Sequence, residues 1–326
     1  MLDKPFLLNP YPKDYLWGGN RLNERYNKNI AIFPFAESWE CSTHPDGPSY
    51  IASGEYRGTS LIDLIKQYPE VLGTHPQKKF KNTLPVLIKL IDAKEDLSIQ
   101  VHPDDEYARN HENGQLGKTE LWYVLDAEPG ATITFGFLHD MEKDAVLESL
   151  KDKSIEKHLQ KVPIKKNDVF FIEPGIVHAI GKGVLIAEIQ ESSNLTYRLF
   201  DYDRIDSFGN KRELHIDKAI NVMKLSSSAK PKQPMRVLRY QKGWAQELLG
   251  RCEYFQVERI LLNTEEGISI QTNENSFQVL LCIDGECSID WKEEQITLQK
   301  GKTVFIPANS KQCLIKGNAQ LLKVES

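Results

Sequence analysis

The chain has 326 residues, 40% of them hydrophobic and 27% charged, with a formal net charge of −5. This is the composition of an ordinary globular protein, long enough for two domains or one large β domain. The negative balance argues against a nucleic-acid or anionic-membrane partner, so an anionic substrate would need local positive charge to hold it.

The opening "MLDKPFLLNPYPKDYLWGG" carries acids and prolines where a signal peptide needs an apolar core, and no apolar run approaches the ~18 residues of a membrane span. "SLIDLIKQYPEVLG" has helical apolar spacing at Leu61, Ile62, Leu64 and Ile65 and ends at Pro69 and Gly73. "LPVLIKLIDA" reads as a strand. In "LSIQVHPDDEYARN", Leu97, Ile99 and Val101 alternate with Ser98, Gln100 and His102, which places Gln100 and His102 on one face just before Pro103. The acids that follow suit the N-terminus of a helix.

"LWYVLDAEPGATITFGF" reads as two strands around Glu128-Pro129-Gly130, and residues 140–161 turn charged and helical in period. Strands resume at "NDVFFIEPGIVHAIG" and "GVLIAEIQ". "LHIDKAINVMKL" reads as an amphipathic helix with Ile216, Ile220, Val222 and Met223 inward, and "SSSAKPKQP" (226–234) as a linker. The remaining ~90 residues are strand-like throughout, so the class is mainly β, a sandwich or barrel. The five cysteines are odd in number, show no CxxC pair and suit a reducing compartment, which points to the cytoplasm.

Two stretches recur. "ELWYVLDAEPGATITF" (120–135) resembles "QVLLCIDGECSIDW" (278–291), and "NDVFFIEPGIVH" (167–178) resembles "GKTVFIPANSKQ" (301–312). The chain therefore divides into two related β modules, residues 1–230 with a helical insertion and residues 231–326. Under this alignment Glu120 corresponds to Gln278 and His178 to Gln312, so only the first module keeps potential metal ligands.

Gln100, His102, Glu120 and His178 all fall on strands or at their ends. Two imidazoles and a carboxylate suit a borderline cation such as zinc, with the Gln100 amide oxygen as a weak neutral fourth ligand. A strand histidine reads equally as hydrogen-bonded core, and Glu120 as a solvated strand end; what sets the four apart is their joint loss in the second module. In "ESSNLTYRLFDYDR" (191–204), Arg198 presents a guanidinium fork suited to phosphate or an enolate, or else joins Arg204, Asp201 and Asp203 in a surface charge network. Lys118, two residues before Glu120, suits a phosphate clamp or proton transfer, or is simply solvated.

The motifs "LWGGNRL", "SIQVHPDDEYA", "GKTELWYVLDAEPGA" and "FFIEPGIVHAIGKGVLIAEIQESSNLTYRLFDYDR" together resemble the type I mannose-6-phosphate isomerase family in its short bacterial form. The resemblance implies two cupin-type (jelly-roll) β-barrel modules holding zinc (Zn2+), and interconversion of mannose 6-phosphate and fructose 6-phosphate through a cis-enediol. It maps the metal ligands onto Gln100, His102, Glu120 and His178, an active-site arginine onto Arg198, and an active-site lysine onto Lys118. Thr119 stands where relatives often carry proline. The expected partner is a small-molecule sugar phosphate, with no nucleic acid and no membrane; the oligomeric state stays open. So does the general base, with Lys118, Asp203 and a metal-bound hydroxide as candidates. A non-catalytic cupin sugar-phosphate sensor and an iron oxygenase are the competing classes.

Overall fold

The computed structural model describes residues 2–206, 208–231 and 233–326. Two compact units emerge. One comprises Asp14–Gly19 and Ile91–Gln233; the other takes in the chain up to Lys13, Asn20–Leu90 and Pro234–Ser326. This division differs from a cut at residue 230, because residues 20–90 belong with the C-terminal segment.

In the first unit, antiparallel strands form two sheets. One runs in the order Tyr197–Phe200, Ile99–Val101, His178–Ile180, Thr132–Phe137, Leu159–Pro163. The other sets Val169–Ile172, Glu120–Ala127 and Val184–Glu191 side by side. The sheets are open rather than closed rings, so the modules are mainly β and cupin-like without complete barrels. Ile99 and Val101 sink into a core shared with Val177, Ala179, Tyr197 and Leu199. Helices Lys143–Lys151 and Ile216–Val222 cover that core with Val146, Ala219 and Ile220.

The helical expectation for 140–161 holds for the Lys143–Lys151 stretch. Lys153 then takes a left-handed backbone (φ 61), a 3-10 turn follows at Ile155–His158, and Leu159 enters the core at the start of a strand. The expected linker is tied down as well. Ser227 N donates to Asp140 Oδ1 (2.7 Å), Ser228 N to Phe137 O (3.0 Å), and Val169 N to Gln233 Oε1 (2.6 Å). Lys232, within that stretch, lies outside the described residues.

In the second unit, a nine-stranded sheet runs from Arg239–Gln241 through Trp244–Arg251, Gln256–Ile270, Cys313–Glu325, Gln278–Trp291, Thr303–Ile306 and Phe6–Asn9 to Tyr50–Ile51, with Glu294–Gln299 branching from Gln278–Trp291. Early residues join it because Phe6 pairs with Phe305 in the ladder and their rings stack at 5.2 Å. A buried ion pair reinforces that join: the Lys28 ammonium donates to Glu40 Oε1 and to Gly301 O, and Thr303 Oγ1 donates to Glu40 Oε2 (3.0 Å).

The sequence repeat is a repeat of register. Glu120 pairs with Ile172 as Gln278 pairs with Ile306, and Trp122 with Phe170 as Leu280 with Val304. Even the closing bonds match: Val124 N to Asp168 O and Asn167 N to Val124 O have counterparts in Cys282 N to Lys302 O and Gly301 N to Cys282 O. Among the described residues no helix is long and apolar enough to cross a membrane.

Removing one member of a buried pair leaves an uncompensated charge, so Lys28→Met is expected to cost about 3–5 kcal/mol. The double variant Lys28→Met/Glu40→Leu should recover most of that loss; urea unfolding of the two variants makes the comparison.

Candidate metal centre

The strand Ile99–Val101 buries its odd-numbered side chains in the core, which turns Gln100 and then His102 to the opposite face. The strand ends there because Pro103 cannot donate to a ladder. Asp104 instead caps the helix Asp105–His111, accepting from Tyr107 N at 2.8 Å, and Asp105 and Glu106 occupy the favourable first turn. His178 opens its own strand directly across from Gln100. Glu120 opens a strand of the other sheet.

These ends converge. The Nε2 atoms of His102 and His178 and the Glu120 carboxylate lie within 4.8 Å of one another, and all three side chains are buried. His102 Nε2 is 3.2 Å from Glu120 Oε1, and His178 Nε2 is 3.7 Å from Glu120 Oε2. Each imidazole has its other nitrogen on a backbone carbonyl: His102 Nδ1 on Leu195 O and His178 Nδ1 on Ile176 O, both at 2.8 Å. A carbonyl only accepts, so Nδ1 carries the proton and both Nε2 lone pairs point at the centre.

That arrangement fits a metal ion. Atoms bound at about 2.0–2.2 Å around a tetrahedral ion lie roughly 3.3 Å apart, close to the separations seen here. Glu120 Oε2 is buried and accepts no hydrogen bond among the described residues, while Oε1 faces the Lys118 ammonium at 2.5 Å. Backbone carbonyls that fix the tautomer of metal-binding histidines are a recurrent outer layer of such sites. Gln100 stands beside the triad, its amide 3.4 Å from His178 Nε2, and a half-turn of that amide would present oxygen.

The electrostatics favour the ligating protonation states. Burial and then the neighbouring Lys118 push the His102 imidazole down to about 3. Burial likewise depresses His178, with Glu120 pulling the other way. For Glu120 burial opposes ionisation, but Lys118 and His102 outweigh it and hold the carboxyl well below its ordinary value. Two neutral imidazoles and one carboxylate result.

Lys118 precedes the strand rather than lying on it, yet its ammonium reaches 2.5 Å from Glu120 Oε1 and 3.4 Å from His102 Nε2. It is buried, not solvated. Arg198 pairs with Gln100 in the ladder, which sets it one strand away from the triad residues. It does not join the aspartate network: its Nη1 donates to Glu213 O (2.7 Å), and its Nε is buried with no hydrogen-bond partner among the described residues. Asp201 instead draws Arg204 and Arg212, each at 2.5 Å. Asp203 is exposed between Lys153 and Lys211, whose hydrogen bonds hold its carboxyl down at about 2. A carboxyl so acidic is a poor general base near neutral pH.

Sequence reasoning passed over the segment that holds Arg198. His215 N donates to Arg198 O (2.8 Å), and Arg198 N donates to His215 Nδ1 (3.2 Å). "RELH" offers no spacing signal for this, because the contact is made across a loop.

Comparison with known proteins follows the same lines. The phosphomannose isomerase type I catalytic-domain profile matches residues 6–128, and the mannose-6-phosphate isomerase cupin-domain profile matches residues 246–326. The chain is 33% identical to mannose-6-phosphate isomerase ManA of Bacillus subtilis, with 99% of each chain aligned. It is also 33% identical to the mannose-6-phosphate isomerase of Streptococcus mutans, over 99% of this chain and 98% of that one. The crystal structure of a mannose 6-phosphate isomerase from Bacillus subtilis superposes with a TM-score of 0.90 at 34% identity, covering 98% of this chain and 99% of the other. Relatedness along the full length, with a family profile matching in each half of the chain, has one meaning: the chain belongs to the type I phosphomannose isomerase family.

Proposed function

We propose that the protein is a zinc-dependent aldose–ketose isomerase that interconverts mannose 6-phosphate and fructose 6-phosphate through a cis-enediol. The observation that carries this reading is the buried His102–Glu120–His178 triad, its lone pairs converging beside Lys118 in a chain of this family. His102 and His178 would hold the ion through Nε2 and Glu120 through its carboxylate, with Gln100 as a neutral fourth ligand. The unit that contains them, together with the rest of residues 1–230, would be the catalytic part, and 231–326 a degenerate cupin-like partner.

Isomerisation takes the proton from C2 of the aldose and returns it to C1, and negative charge develops on both oxygens in between. A bound zinc ion would supply Lewis-acid polarisation of the sugar's carbonyl or hydroxyl oxygen. Lys118 brings a fixed positive charge to the same spot from its position against Glu120 and His102. Arg198 is anchored through one guanidinium nitrogen to Glu213 O, which keeps its fork oriented while Nε remains to be satisfied. A guanidinium so placed suits the enediolate or the phosphate. Together the two cations supply the local positive charge that an anionic sugar needs against a net charge of −5. The five cysteines, all free thiols, support a cytoplasmic setting.

Exhaustive chelation should abolish interconversion in a coupled assay with mannose 6-phosphate, and added zinc should restore it. Full activity in protein shown by metal analysis to be stripped would overturn the metal's role. Arg198→Ala should lower kcat/KM by about 100- to 1,000-fold while leaving the thermal midpoint close to that of the parent. An unchanged rate would remove Arg198 from the site.

A further inference from the structure

Lys118 lies in, and Glu120 directly follows, a short non-strand segment, 116–119, whose backbone is held by side-chain and backbone groups from elsewhere. Gly117 N donates to Asp105 Oδ1 (2.8 Å), Lys118 N to Pro103 O (3.0 Å) and Thr119 N to Glu191 Oε1 (2.7 Å). Glu191 N returns a bond to Thr119 O (3.1 Å). Three successive amides are thus spoken for. Gly117 approaches so closely that a Cβ there would lie 2.4 Å from Asp104 C and 2.5 Å from Asp105 N. The bond to Glu191 also needs the N–H of Thr119, which a proline in its place would lack.

The two carboxyl groups that grip this segment, Asp105 and Glu191, are also neighbours. They accept from amides only two residues apart, Gly117 N and Thr119 N, and Asp105 is near enough to help push the Glu191 carboxyl up. Glu191 Oε2 is buried and receives no amide, hydroxyl or cationic donor among the described residues. Two carboxyl groups bond only when one of them carries a proton. We propose that Asp105 and Glu191 are positioning residues that share one proton and so clamp Gly117 and Thr119, setting Lys118 and Glu120 in place. The proposal rests on Lys118 and Glu120 serving the site as described above.

Glu191 is the member suited to hold the proton. Burial, reinforced by Asp105 against the opposing pull of Thr119, raises its carboxyl from 4.5 to about 8. Asp105 is the charged group facing it; Lys118 and Glu120, next along the chain, are ion-paired with each other. Above about 8 the pair would carry two negative charges, and the grip on the segment would loosen.

Glu191→Gln supplies the test, because an amide accepts from Thr119 N through its oxygen and donates to Asp105 without needing a proton. At pH 7 this variant should keep kcat and KM within about two-fold of the parent. The parent should lose kcat as the pH rises past about 8, whereas Glu191→Gln should not. Glu191→Ala should lower kcat by on the order of 10- to 100-fold with little change in KM.

Two readouts do not depend on activity. Infrared difference spectra between the parent and Glu191→Gln should show the carbonyl stretch of a neutral carboxylic acid at pH 7. A carboxyl held protonated in the fold loses stability as pH climbs from its unfolded value of 4.5 to about 8, so the parent's melting temperature relative to Glu191→Gln should fall across that window and then level. Superimposable pH profiles, or the absence of the acid carbonyl band, would overturn the proposal. A parent that does not isomerise mannose 6-phosphate at all would instead refute the function, while the infrared and melting comparisons still decide the pair.

Discussion

The Glu120 carboxylate has no exposed surface, and a charge in that position cannot stand alone. Withdrawing it from water costs several kcal/mol unless opposite charge and donors are brought in with it. The surroundings answer that requirement: an ammonium at 2.5 Å and two imidazoles whose proton-bearing nitrogens are turned away to backbone carbonyls. Because the imidazoles stay neutral, the centre keeps more acceptor than donor capacity. A fold that hides a carboxylate among lone pairs has built a place for a cation.

The same backbone occurs twice in the chain with opposite contents. At the position equivalent to Glu120, Gln278 is half-buried, and its amide is taken up by Glu325 at 3.3 Å. At the position equivalent to His178, Gln312 is exposed. The interior of the C-terminal module is filled by Ile260, Leu280, Cys282, Ile289, Leu298, Ile315 and Leu321 instead. The matched ladder registers show that strand pairing does not depend on which side chains line the cavity. One copy could lose its polar centre while the other kept it, since backbone pairing carries the framework in both.

Around Arg198 the charges are sorted by neighbours rather than by sequence proximity. Asp201, nearly buried, is satisfied by Arg204 and Arg212, and the exposed Asp203 by two lysines. Arg198, in the same short run, is left to a backbone carbonyl. Its fork therefore keeps donor capacity that a carboxylate partner would have taken up.

Much of this was legible in the residues themselves. The period-2 pattern of 97–102 put Gln100 and His102 on one face, the acids after Pro103 announced a helix, and the repeat marked Glu120 and His178 as residues present in one module and missing from the other. Local periodicity and steric limits decide such features, and they act within a few residues. The sequence could not say that 20–90 would join the C-terminal segment, that Lys118 would be buried against Glu120, or that Asp105 and Glu191 would accept from the amides of Gly117 and Thr119. Those outcomes depend on segments far apart in the chain being brought side by side. Only the closed packing of the chain determines which buried charge faces which partner, and hence which proton stays.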